Sequence, residues 1–528
     1  MTATTAAPRA AVSQPLGILL LGWIGAIKAT GASLATVALV EASADLTMSS
    51  AQVTVAASIG TLAVAATVIA TGLAADRVGR RRVLMLSFAV AGIGSVMSLV
   101  AWDSLVYVVG LVVAGIGFGA MFSGSFAYVR QLAPGAALGW ALGLFGAYCS
   151  LLAAAASIGG GALSAWSWRG MFLIAPAMCV VAAIATLRLL PPMPRVNTGP
   201  VDWWGLVTLG AAMVMLLAGI SQLVNTLGGL GAWFLAGGCV LTVVWVIIER
   251  RSSAPSFPVS LFASGMFTGA AIVGVAFNLV QSASTLQLSD YWQYLGQWTP
   301  MSVTMGIQPF YVIGVIGALL AGRALSAGRS ARVVVVVSCV LTGLGFLVLA
   351  GIDPRASYWG FLPAIVLIGI GMMAGTTAQA QVFVREAPAA SYGAVTASKT
   401  TVGQIGFALG FALSSLLADR LTLSGAISRL AAAGMPEYQA RHSLTGASSH
   451  LHVGHVPDTA QGKEILAAAM ASYQHAYVVI MLVCAATMAG AAALAWWLMR
   501  DSNRDKRRKG ALDLGSSLPL RQSEPRQH

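Results

Sequence analysis

Apolar residues run through this chain in blocks of about 20 or more, broken by short polar gaps. They do not alternate with polar residues, and the blocks are far longer than barrel strands. Inside a bilayer every backbone polar group must find its partner within the segment, so such blocks are read as helices. A helix rising about 1.5 Å per residue needs about 20 residues to cross the hydrocarbon core. On that rule the pattern predicts about fourteen crossings, near 16–40, 51–74, 83–102, 105–129, 137–162, 169–190, 203–223, 229–248, 266–288, 301–322, 331–351, 359–384, 393–418 and 474–499. The expected fold class is an all-α polytopic membrane protein.

Composition sharpens this reading. The chain is 57% hydrophobic and 9% charged, against about 25% charged in a soluble domain. Its mean hydropathy is +0.81. The run after the polar first fifteen residues is too long for a signal-peptide core, so an uncleaved first span is expected. The five cysteines all lie in apolar blocks and predict neither a disulfide framework nor a metal site. No cofactor motif is present either. Gly115-Ile116-Gly117 is no nucleotide fingerprint, since no strand precedes it.

The net charge of +13 is an orientation signal. With the N-terminus inside, most of the thirty basic residues fall on the inner face. The exceptions outside are Arg169, Arg355, Arg420, Arg429, Arg441 and Lys463, and Lys28 is read as the one basic residue within a span. Acids divide almost evenly. The basic tail at Lys506-Arg507-Arg508-Lys509 is expected to meet anionic lipid headgroups, and nucleic acid is not an expected partner. The location implied is the plasma (inner) membrane with both termini cytoplasmic.

An internal repeat divides the chain. Gly115-Ile116-Gly117 leads to Arg130, Pro134 and Gly139, and Gly369-Ile370-Gly371 leads to Arg385, Pro388 and Gly393 at nearly the same spacing. The first run belongs to span four and the second to span twelve. The same eight-span offset carries the gap Gly72-Leu73-Ala74-Ala75-Asp76-Arg77-Val78-Gly79-Arg80-Arg81-Arg82 onto Gly322-Arg323-Ala324-Leu325-Ser326-Ala327-Gly328-Arg329, with Ser326 in the place of Asp76. The expected organisation is a tail over 1–15, a six-helix half over 16–190, an inserted helix pair over 191–250, a second six-helix half over 251–499 with an outer loop at about 420–473, and a basic tail over 500–528. Parallel repeats of this kind place a substrate site at mid-membrane between the halves.

The gap from Gly72 to Arg82 resembles the G-x-L-a-D-R-x-G-R-R-x signature of the major facilitator superfamily, with Ala74 where leucine is usual. Fourteen spans, the long loop before the last span and Ser167-Trp168-Arg169-Gly170-Met171-Phe172 resemble its drug:proton antiporter branch. That resemblance implies the superfamily fold and gives Gly72, Asp76, Gly79 and Arg80 a gating role at the inner face. The chain departs from the branch at three places. Gly31 stands where span one usually has an acid, Leu111 where span four has an arginine, and Ala155-Ala156-Ser157-Ile158-Gly159-Gly160 where span five has a Gly-Pro hinge.

Ionisable residues inside spans cost about 2.5–3.5 kcal/mol and mark function by default. Lys28, near the bilayer centre, is therefore read as the anchor for an anionic or carbonyl-rich substrate group. Asn278, Gln281 and Thr285 share one face of span nine, and Gln379 lies on span twelve; these are read as the polar lining opposite it. Glu41 and Asp290, near the outer ends, are the carboxylates able to carry a coupled proton. His450, His452 and His455 in the outer loop are read as solvated, and no metal site is expected. The sequence thus predicts a transporter and not an enzyme, exporting a small amphiphilic drug or metabolite by alternating access, coupled to H+. An organic-anion or metabolite carrier running as uniport or import is the alternative within transport, and a non-transporting membrane sensor or scaffold the alternative outside it.

Overall fold

The computed structural model describes residues 14–164, 166–191, 202–225, 229–252, 255, 257–353, 356–388, 391–442, 444 and 460–500. Arg355, the histidines 450, 452 and 455, and the basic tail from 501 lie outside the described residues. Among the described residues the long helices are fourteen: α1 (Gln14–Asp45), α2 (Ser50–Val78), α3 (Arg80–Leu99), α4 (Ser104–Leu132), α5 (Ala137–Ser164), α6 (Ile174–Leu189), α7 (Trp203–Asn225), α8 (Leu230–Arg251), α9 (Gly265–Tyr294), α10 (Pro300–Ser326), α11 (Ala331–Ala350), α12 (Tyr358–Glu386), α13 (Tyr392–Ala432) and α14 (Ala460–Leu498). Among the described residues, thirteen helical stretches are long and apolar enough to cross a membrane, and α1 adds a shorter apolar stretch, Pro15–Gly31. The protein is an integral membrane protein.

Local chemistry starts these helices where the gaps predict. Ser49 and Gln52 form a reciprocal capping box on α2. Asp103 accepts the Val106 N–H at 2.7 Å on α4, and Thr299 caps α10 with Pro300 in its first turn. Gly79 adopts φ +109° between α2 and α3, a backbone region that side chains rarely enter, and so allows the sharp reversal there.

In lipid no hydrophobic force drives helix against helix, so close backbone approach at small residues carries the packing. Gly115 seats α4 against Gly60 and Ala63 of α2, and Gly117 seats it against Ala91 of α3. Gly369 seats α12 against Phe310 of α10, and Gly371 seats it against Ser338 and Thr342 of α11. The two glycine pairs therefore do the same work eight helices apart. The wider packing follows suit: α1 lies on α5 and α6, α3 on α6, and correspondingly α9 lies on α13 and α14, α11 on α14. The first six helices meet the last six along two seams, α2 with α13 and α5 with α10. Between these groups in sequence, α8 packs on α7, and α7 packs on both α2 and α13.

The expected loop at 420–473 differs from the structure at both ends. Helix α13 runs 41 residues and α14 runs 39, about 60 Å each against a core of about 30 Å. Their far ends pack together through a separate apolar cluster that includes Ala426, Leu430, Ala440, Leu444 and Ala469. A rule based on span length stops counting where hydropathy drops, but the helical hydrogen-bond ladder continues.

Candidate functional site

The signature gap closes one end of the molecule, the end that carries Arg77, Arg80, Arg81, Arg82, Arg130 and Arg385. Asp76, 1% exposed, sits in the last turns of α2. Its Oδ2 accepts the backbone N–H of Gly393 at 2.6 Å, and its Oδ1 pairs with the Arg80 guanidinium at 3.1 Å. Gly72 lies backbone to backbone against Gly393, with no space for a side chain on either. Arg80 and Arg130 both stack on the Tyr392 ring, at 5.2 and 5.1 Å. Arg130 also donates to the carbonyls of Val384 and Ala387, each at 3.3 Å.

The other seam repeats this arrangement with different chemistry. Gly322 of α10 packs on Gly139 and Gly143 of α5, and the Ser326 hydroxyl accepts the Trp140 N–H at 2.7 Å. Asp76 and Ser326 occupy the same place in the two copies of the gap. Each takes a backbone N–H from the first turn of a helix in the opposite group. One seam is thus crossed by a charge-assisted hydrogen bond to a carboxylate that Arg80 pairs on its own side, the other by a neutral hydrogen bond.

Beyond this closed end, α1, α2, α4, α6 and α13 enclose a cavity of about 70 Å³. Lys28 sits on it with Gly31, Gly60, Leu111, Phe118 and Gln404. The volume admits a few waters and is well below the several hundred Å³ of a drug-sized site. Lys28 is half-buried, and its ammonium stands 4.6 Å from the centroid of Phe122.

Lys28 is not the only basic residue in a span, as the sequence reading had it. Lys399 lies about two turns into α13, half-buried, with its ammonium 5.7 Å from the Phe126 centroid. Its nearness to the loop after α12 made it read as an inner-face charge. The structure turns it inward to within electrostatic reach of Lys28.

The other expected lining residues are dispersed. Gln281 and Thr285 border a separate cavity of about 40 Å³ between α9, α10, α11 and α12, with Phe310 and Ile368. Asn278 donates to the Gly274 carbonyl at 2.8 Å and lies against Gly403 of α13. Gln379, 1% exposed, is wedged between α12 and α9 and donates to the Ala270 carbonyl at 3.2 Å. Glu41 is exposed near the end of α1. Asp290 is half-buried on α9, within electrostatic reach of Asp419 on α13 and Tyr473 on α14. None of these five groups of residues adjoins Lys28 directly. The sequence reading missed Lys399, Ser326, Gly393 and Tyr392; for Ser326 and Gly393 the internal repeat was the available signal.

A family model described as Major Facilitator Superfamily matches residues 21–411, well over half of the chain. The chain belongs to the major facilitator superfamily. It is a transporter by family, and not an enzyme. Superfamily relatives include the methylenomycin A resistance protein of Bacillus subtilis, 26% identical over 385 residues, covering 70% of this chain and 79% of that one. The multidrug efflux pump LfrA of Mycolicibacterium smegmatis is 24% identical over 356 residues, covering 66% and 70%. The riboflavin transporter RibZ of Clostridioides difficile is 23% identical over 409 residues, covering 77% and 89%. Among solved structures, the human organic anion transporter MFSD10 (TETRAN) superposes with a TM-score of 0.61 at 13% identity, covering 94% of this chain and all of that one. The likeness in structure extends to the fold alone.

As a superfamily member the chain keeps its departures, and the structure gives them physical form. At Gly31 the Phe118 ring fills the space that a side chain would take, so an acid could not be seated there without displacing the ring. Leu111 is buried beside the Lys28 cavity. Helix α5 runs unbroken from Ala137 to Ser164 where the antiporter branch has its hinge.

Proposed function

We propose that this protein is a secondary active exporter that moves a small amphiphilic organic compound out of the cell by alternating access, driven by proton entry. The observation that carries the reading is the pair of matched closures at the basic end, Asp76 with Gly393 and Ser326 with Trp140. Asp76 is buried and paired with Arg80 beside the seam between two repeated groups. Such pairs cost desolvation and earn their place where a contact must specify one state and be released in another. The resistance and efflux relatives support the direction and the substrate range.

In this reading the chain divides into six-helix units over 16–190 and 251–499 with the pair over 191–250 inserted, and the repeated glycine contacts support that division. The basic end faces the cytoplasm of the plasma membrane, where its arginines and the tail contact anionic lipid. Lys28 is the substrate anchor. Gly72, Asp76, Gly79 and Arg80 form the inner gate. Asn278, Gln281, Thr285 and Gln379 come to bear on substrate only as α9 and α12 shift during the cycle. Asp290, half-buried with Asp419 close by, is the better placed of the two candidate proton carriers, since Glu41 is exposed. A riboflavin-transporting relative favours a metabolite carrier as the second reading.

Uptake of matched cationic and anionic amphiphilic dyes into inverted membrane vesicles tests this. An imposed proton gradient, acidic inside, should drive dye accumulation that collapses when the gradient is dissipated. Accumulation that ignores the gradient removes the proton, and absence of any dye movement removes the exporter.

A further inference from the structure

We propose that Lys28 and Lys399 together form one two-point site for an organic dianion, a compound with two anionic groups on an apolar body. The proposal rests on the transport reading and names the substrate class for the region beside the Lys28 cavity.

The two lysines come from opposite six-helix groups, Lys28 from α1 and Lys399 from α13. Each ammonium stands over one of two touching rings of α4. Lys28 is 4.6 Å from the Phe122 centroid and Lys399 is 5.7 Å from that of Phe126, and the two centroids are 4.8 Å apart. Phe145 of α5 extends this aromatic floor, 4.9 Å from Phe126. The lysines lie within electrostatic reach of one another, and both reach the same thiol, Cys149.

Among the described residues neither lysine has a carboxylate partner; ion pairs lie elsewhere, among them Asp76–Arg80, Asp45–Arg169 and Glu437–Arg441. Two like charges held together in an apolar interior repel each other and lose hydration, so the arrangement is incomplete without counter-charge. The cation–π contacts return only about 0.5–2 kcal/mol each. A monoanion would answer one lysine and leave the other facing it. A cation would add to the repulsion. A dianion answers both, and the apolar cavity beside Lys28 receives its body.

The placement also links binding to the gate. Lys399 is six residues beyond Gly393, about 9 Å along α13 from the contact that Asp76 makes. A ligand held at both ends ties α1 to α13 across the division between the two groups. Such a ligand distinguishes conformations that bring the lysines together from those that separate them, which is the differential affinity an alternating cycle needs.

The test uses purified full-length protein in nanodiscs and measures binding of phthalate, isophthalate and terephthalate against benzoate and benzylammonium. The best dicarboxylate should bind about tenfold or more tightly than benzoate, and benzylammonium should not compete. Lys28→Gln and Lys399→Gln should each bring the dicarboxylate down to the benzoate level, while Lys399→Arg retains most of the affinity. The wild-type ratio stands by itself if a glutamine variant fails to fold: equal affinity for dicarboxylate and benzoate overturns the two-point site, as does tighter binding of benzylammonium. Vesicle transport separates the two readings. Gradient-driven movement of a cationic dye that survives both glutamine changes keeps the exporter and overturns the dianion site. Tight dicarboxylate binding with no dicarboxylate movement in either direction keeps the site and overturns the exporter.

Discussion

A single negative charge separates the two closures of the basic end. Asp76 and Ser326 each accept one backbone N–H across a seam, but only Asp76 also holds an arginine. A hydrogen bond to a charged group is worth about 1.5–3 kcal/mol, whereas a neutral hydrogen bond is worth about 0.5–1.5 kcal/mol. Asp76→Asn should therefore open the basic end more readily than Ser326→Ala. Cys149, beside Lys28 and half-buried, reports this directly. In a Cys239→Ser background, which removes the one exposed cysteine, maleimide added from the basic side should label Cys149 at least about tenfold faster in Asp76→Asn, and about two- to tenfold faster in Ser326→Ala. Equal rates in the two variants would remove the charge from the explanation and leave geometry alone. The same scale explains Gly31: the missing acid is not a gap, because Phe118 occupies the place.

Helices here are held by what they lack. A side chain at Gly371 would lie 2.8 Å from the Ser338 carbonyl oxygen and 2.9 Å from the Thr342 nitrogen, backbone atoms that cannot swing aside. At Gly92 of α3 nothing lies within 4 Å. Helix propensity alone favours alanine over glycine by about 1 kcal/mol, so Gly92→Ala should raise the unfolding temperature slightly. Gly371→Ala should lower it by the equivalent of about 1–3 kcal/mol as α11 and α12 are pushed apart. A scan of thermal unfolding in detergent compares the two, and the same sign for both would show that the close approach is not what fixes this contact. The projecting ends of α13 and α14 form another self-contained unit. Leu430, 1% exposed there, should cost about 2–3 kcal/mol locally when changed to alanine. Limited proteolysis should then cut the projecting hairpin faster while vesicle transport holds its wild-type rate. A fall in transport would tie the hairpin to the cycle.

Across the whole molecule, what could be read from the chain was whatever is local. Apolar block length predicts crossings because a helix satisfies its own backbone, and the glycine spacings of the two repeats translate directly into matched packing of α4 and α12. The closure of the basic end was legible because Asp76 and its arginines lie within one short gap. Lys399 was not, since only tertiary placement turns a residue near a helix start toward Lys28 and away from the basic surface. Gln379 read as lining because its type and depth were right, but which neighbour a helix face meets is set by partners hundreds of residues away, here the Ala270 carbonyl. The ends of α13 and α14 were hidden by a rule tuned to bilayer thickness. One placement carries further. Helix α7 lies over the seam of α2 and α13, with Leu217 against Leu62 and Ala65, and with Ile405 and Ala408 of α13 beside them. Its counterpart seam, α5 with α10, carries no such cover among the described residues. To the lipid around it the molecule therefore presents one shuttered flank and one uncovered flank, a handedness that the internal repeat alone would never suggest.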